Sequence, residues 1–277
     1  MEMDTRRMCP HCRAFITTKD RVCPYCNESV GPRAVDVRNT AAVIGGFIPH
    51  ARFNTVLILL INFGLYAATV VFNMKNGASG LDLDPRVLYA FGAKVGLRFL
   101  DGQWWRLVTA GFLHGGLFHI LMNSWVLFDL GANVEEIYGP SRMWVIYFCS
   151  SFFGFLVSAW WNPAVSIGAS AGLCGLVGAM IALGVRHRNP AGDAIRTMYI
   201  RWAVYILLMG LLPFFNIDNA AHLGGLVAGF CVAYVAETPG RIGSPTERLW
   251  QVASWFCIIL TVVSFLKMWL SFSHVAE

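Results

Sequence analysis

The sequence predicts an all-α polytopic membrane protein that crosses a bilayer about seven times, carrying a small cysteine-bearing module at its N-terminus. Apolar residues make up 56 % of the 277 positions and charged residues 13 %, a balance that would leave a soluble domain covered in exposed Leu, Val and Phe. The charges fall in clusters, and the apolar stretches between them approach the ~20 helical residues that a hydrocarbon core requires. Four cysteines in two C-x-x-C pairs stand apart from this pattern, within the first 26 residues.

Residues 1–38 read as the module and 39–52 as a linker. Cys9-Pro-His-Cys12 and Cys23-Pro-Tyr-Cys26 are two hooks separated by ten residues. Each hook can present two thiolates to one tetrahedral Zn²⁺, and together they close a four-sulfur site. So small a unit has too little core to fold without a staple. A site closed by four thiolates has no open coordination position, so the zinc is expected to be structural, and the module is a candidate docking surface for a cytoplasmic partner. A reducing compartment disfavours disulfides there. Cys149, Cys174, Cys231 and Cys257 occur singly inside apolar stretches and read as packing residues.

The polar tail has no apolar core of a cleavable leader, so 53–72 reads as the first span and an uncleaved anchor. The segment 73–113 is too polar to cross; its Trp104-Trp105 pair and scattered Arg suggest ordered structure at the membrane interface. Further spans are expected at 114–130, 143–161, 168–185, 198–215, 220–236 and 249–272. Arg142, Arg186, Arg188, Arg196, Arg201, Arg241 and Arg248 fall in alternate loops, whereas 162–167 and 216–219 hold no Lys or Arg. That asymmetry places the N-terminus in the cytoplasm and the C-terminus outside. The formal charge of +5 is spread over tail and loops rather than gathered in a patch, so nucleic acid is not an expected partner.

Polar groups at membrane depth are costly and mark candidate sites. Span two carries His119 and Asn123 on one face, with His114 above them. Gly168-Ala-Ser170 opens span four, and His222 opens span six. By the topology these groups share one depth, a little below the outer surface. His222, Gly225 and Gly229 make one smooth stripe, and Ser170, Cys174 and Gly178 another, so the two helices can approach closely. A serine hydroxyl becomes a nucleophile only when a base takes its proton, and a neutral imidazole does so near pH 7. The Ser170 amide with His119 and Asn123 would supply donors to an oxyanion. Asp129 lies far down span two and Asp218 in an outer loop, so a Ser-His dyad is expected rather than a triad. A proton-coupled carrier would call for inverted repeats with broken helices, and a metal hydrolase for an H-E-x-x-H or a carboxylate pair; neither pattern is present.

The residues Trp105-Arg106, His114, His119, Asn123, Gly131-Ala-Asn-Val-Glu135, Gly168-Ala-Ser170 and Ala221-His222 with Gly225 and Gly229 occur in that order. In this set the chain resembles the rhomboid intramembrane serine proteases over about residues 53–236. The resemblance implies a six-helix core, here 53–240, with residues 241–277 adding a seventh transmembrane helix. It implies Ser170 as nucleophile, His222 as base, and His119, Asn123 and the Ser170 amide as oxyanion hole. Trp105, Arg106 and Glu135 would brace loop and helix ends, with His114, Gly168, Gly225 and Gly229 supporting the site. Substrates would be single-span membrane proteins cut near the outer end of the span, without a cofactor, in a bacterial inner or plasma membrane. Cys174 stands where the family usually carries an aromatic on which the histidine stacks, and Ala171 where Gly often follows the serine. A catalytically weak or inactive relative that binds membrane clients is the alternative.

Overall fold

The computed structural model describes residues 6–9, 11–17, 20–30, 52–77, 83–212 and 217–272. The expected linker at 39–52, apart from Arg52, and the end of the module at 31–38 lie outside the described residues, as do positions 213–215 at the end of the fifth expected span.

The N-terminal module is a short antiparallel hairpin, β1 (Arg6–Met8) and β2 (Phe15–Thr17), followed by a second turn. Its two hooks fold identically. Cys9 N donates to the Ala14 carbonyl and Arg13 N to the Cys9 carbonyl; Cys23 N donates to the Glu28 carbonyl and Asn27 N to the Cys23 carbonyl. Each hook is closed by a residue with positive φ, Arg13 at 61° and Asn27 at 57°.

The first membrane helix is α1 (Phe53–Lys75). The polar segment after it is ordered, as its composition suggests: α2 (Pro85–Ala90), β3 (Lys94–Val95), α3 (Arg106–Thr109) and a 3-10 turn at Ala110–Phe112. Then come α4 (Leu117–Val126), a π-helical turn at Leu127–Gly131 and α5 (Ala132–Trp161), which together run over 45 residues. At ~1.5 Å per residue that is twice a bilayer's hydrocarbon thickness. The run breaks at Gly139, whose φ of 77° no helix accepts, just before Pro140, into two segments each about the length of one expected pass. The remaining elements are β4 (Val165–Ser166), α6 (Ser170–Arg186), α7 (Pro190–Met209), α8 (Asn219–Ala236) and α9 (Pro245–Phe272).

Among the described helices, α1, the 45-residue run, α8 and α9 are long and apolar enough to cross a membrane; α6 is apolar but 17 residues long. The buried core lies where α5, α6 and α1 meet, around Ile58, Val134, Tyr138, Ile146, Leu176 and Ala179. Glu135, fully buried, satisfies the start of α1: its carboxylate accepts the backbone N–H groups of Asn54 at 3.0 Å and Thr55 at 2.9 Å, and the Thr55 hydroxyl at 2.8 Å. An acid at a helix N-terminus pairs orphan donors and complements the helix dipole.

Several expectations shift. The helix that carries the fifth expected span, α7, begins at Pro190, eight residues before the apolar run, because Asn189 caps it by accepting the Gly192 N–H and Pro190 fits its first turn. The apolar window hid this start behind Asp193, Arg196 and Arg201. Span two starts at Leu117, and His114 precedes it in extended chain. Arg142 is not a loop charge: it is buried and binds Glu247 through two 2.7 Å contacts, clamping α9 to α5. Cys231 is exposed on α8, not packed.

Candidate active site at the mouth of the helix bundle

Ser170 is the first residue of α6, half-buried, with its amide among the unpaired N–H groups of the helix start. The preceding loop is fixed by the Gly168 N–H, which donates to the Ala110 carbonyl at 2.9 Å. Gly168 has φ of 123°, and a Cβ there would fall 2.7 Å from His119 Nε2 and 3.6 Å from Asn123 Nδ2. Only glycine fits: its missing side chain lets His119 and Asn123 of α4 close on the backbone two residues before Ser170. The Asn123 amide nitrogen is buried without a hydrogen-bond partner. His114 packs its ring on His119 edge to face, centroids 5.1 Å apart, and both of its nitrogens are likewise unpartnered.

His222 lies in the first turn of α8, buried, with Nδ1 unpartnered. Helices α6 and α8 touch backbone to backbone. A Cβ on Gly225 would sit 2.2 Å from the Ala171 carbonyl oxygen, one on Gly229 2.1 Å from that of Gly175, and one on Gly178 2.2 Å from that of Leu226. The α8 stripe therefore runs as expected, but the α6 stripe is Ala171, Gly175 and Gly178. Ser170 and Cys174 flank the contact line, one residue around the helix. No hydrogen bond joins Ser170 to His222 in this arrangement; such bonds commonly tighten only when substrate binds.

The loop above the site is braced by Arg106. Its guanidinium donates to Gln103 Oε1 at 2.6 Å and to the carbonyls of Tyr89 at 2.6 Å and Ala93 at 3.1 Å, and lies over the Tyr89 ring at 3.9 Å and the Trp105 ring at 4.4 Å. Lys94 is absent from the residues the sequence singles out, and Asp218 is expected there only as an outer-loop residue. Asp218 is half-buried and caps α8 by accepting the Ala221 N–H at 3.1 Å; an Asp just before an apolar helical run was the available signal.

In the N-terminal module the four sulfurs of Cys9, Cys12, Cys23 and Cys26 lie within 4.8 Å of one another, with Cys9–Cys26 at 3.7 Å and Cys12–Cys23 at 3.6 Å. A tetrahedral ion with metal–sulfur bonds of ~2.3 Å would set its ligands ~3.8 Å apart, so the cluster fits a metal ion.

Fold and site together define a polytopic helical membrane protein in which a serine, an imidazole and amide donors gather where three helices begin. A family model described as the Rhomboid domain matches residues 101–238. Rhomboid-like protease 1 of Toxoplasma gondii is 31 % identical over 214 residues, 73 % of this chain and 69 % of that protein, and the chain belongs to the rhomboid family. Rhomboid protease GluP of Bacillus subtilis is 34 % identical over 172 residues, 62 % of this chain but 33 % of that protein. Inactive RHOMBOID-like protein 8 of Arabidopsis thaliana is 36 % identical over 127 residues, covering 45 % of this chain and 36 % of that protein. The chain spans a third to under half the length of the first curated relatives it matches.

Proposed function

We propose that this protein is an intramembrane serine endopeptidase that cuts single-span membrane proteins near one end of their transmembrane helix. Ser170 is the nucleophile. His222 takes its proton on attack and returns it to the leaving amine. His119 Nε2, Asn123 Nδ2 and the Ser170 amide receive the oxyanion of the tetrahedral intermediate. The observation that carries the reading is the approach of His119 and Asn123 to the Gly168 backbone, two residues ahead of Ser170, while Ala171 and Gly225 press the serine and histidine helices together. An imidazole donor, two amide donors and a nucleophile then face one small volume, as acyl transfer requires.

Cys9, Cys12, Cys23 and Cys26 would hold structural Zn²⁺, which takes no part in the cut. The loop charges favour a cytoplasmic module and a site toward the outer face. Met8 and Phe15, paired across the hairpin and 59 % and 68 % exposed, offer a cytoplasmic partner an apolar contact.

The test is cleavage in liposomes of a single-span reporter bearing Ala and Gly near its outer end, by wild type and Ser170→Ala. Cleavage by wild type and none by Ser170→Ala is expected. Cleavage by neither, from folded and inserted protein, would instead favour a client-binding member without activity, a class to which the inactive relative's name points.

A further inference from the structure

Ser170 and His222 enter the site from two separate loops, 162–169 and the segment before α8, and their alignment depends on how those loops are held together. One buried polar knot joins them. Lys94, 1 % exposed on β3, donates through Nζ to the carbonyls of Asn162 at 2.6 Å and Ala164 at 3.2 Å, just past the C-terminal end of α5, where a cation complements the helix dipole. Its strand partner is Ser166 of β4. Across the knot, the Asp218 carboxylate accepts the Ala221 N–H and the hydroxyl of Ser158, a fully buried residue in the last turn of α5. Ser166 stands four residues before Ser170, and Asp218 four before His222. The same group of contacts therefore governs the approach to both residues.

The charges in the knot support one another. Burial alone would raise the Asp218 carboxyl. The Ser158 and Ser166 hydroxyls, the Ala221 amide and the Lys94 charge outweigh it and hold the group below its ordinary value. Burial lowers the Lys94 ammonium, and the Asp218 charge opposes that loss.

We propose that Asp218, with Lys94 and Ser158, is a positioning residue that sets the alignment of Ser170 with His222 by tying the start of α8 to the end of α5 and the serine loop. This rests on the Ser170–His222 reading. It acts through hydrogen bonds at the helix cap and not through contact with substrate or with the imidazole, whose Nδ1 Asp218 does not reach.

The experiment uses the full-length protein in liposomes with two readouts: kcat and KM on the reporter, and the rate at which a fluorophosphonate labels Ser170. Asn keeps both the helix cap and an acceptor for Ser158, whereas Ala removes both. Asp218→Ala is expected to lower kcat and labelling about 30-fold or more with KM within about twofold, the pattern of a misplaced reacting pair. Asp218→Asn should stay within about threefold of wild type, and Asp218→Ala combined with Ser158→Ala should be no worse than Asp218→Ala alone, because both remove one linkage. Ser158→Ala by itself, a mild change that leaves the cap intact, should lower labelling in the same direction. Wild-type kcat in Asp218→Ala, or an equal loss in Asp218→Asn and Asp218→Ala, overturns the proposal. Failure of the dyad itself is read separately, from wild type against Ser170→Ala.

Discussion

Gly225→Ala adds a single methyl at the point where the serine and histidine helices touch. The new Cβ would fall 2.2 Å from the Ala171 carbonyl oxygen, against the 3.4 Å at which ordinary contact begins, a shortfall of 1.2 Å. The obstacle is helix backbone on both sides, so no side chain can swing away and α8 must retreat by about that distance. His222 sits one turn before Gly225 and moves with it. A misplacement of ~1 Å in a reacting pair costs ~100-fold in rate, so kcat on the liposome reporter should fall by about that factor while KM changes little. Overpacking should also lower stability by about 1–3 kcal/mol, well short of unfolding the bundle. Gly64→Ala on α1 is the control, since a Cβ there meets nothing within 4 Å. If Gly225→Ala turns over the reporter within about threefold of wild type, backbone contact between α6 and α8 does not set the Ser170–His222 geometry.

Three further outcomes follow from the same geometry. Gly168→Ala forces a side chain onto φ of 123° and places Cβ 2.7 Å from His119 Nε2; cleavage and Ser170 labelling should both collapse while detergent melting curves show a folded protein. Glu247→Ala leaves Arg142 charged and buried, retaining the Ala236 carbonyl at 3.0 Å as acceptor. It should cost about 3–5 kcal/mol in thermal unfolding, and Arg142→Met with Glu247→Leu should recover most of it; a wild-type melting point for Glu247→Ala would count against the clamp. Cys12→Ser, or a strong chelator, should abolish stoichiometric zinc as read by metal analysis, while leaving reporter cleavage unchanged.

Much of this could be read in the chain itself. Hydropathy located the membrane helices, Gly168-Ala-Ser170 and Ala221-His222 marked the candidate dyad, and the spacing of the four cysteines implied one tetrahedral cluster. Errors came at helix ends. The start of α7 was hidden because charges within its first turns masked a helix that Asn189 and Pro190 begin. The α6 stripe was rotated by one residue, since the sequence offered several small residues and only packing chose Ala171, Gly175 and Gly178.

Hydrophobicity and helix capping are properties of neighbouring residues, and they accumulate along the chain, so the sequence by itself determined an all-α polytopic membrane protein and offered its candidate site residues. The partners of buried polar groups are another matter. Arg142 meets Glu247 across 105 residues, Lys94 meets Ala164 across 70, Asn54 meets Glu135 across 81, and Ser158 meets Asp218 across 60. Each of these charges reads locally as an ordinary loop or helix-end residue. Tertiary structure alone decided that they are wholly or partly buried and paired, because a polar group inside the bundle is tolerable only where a distant segment brings it a partner.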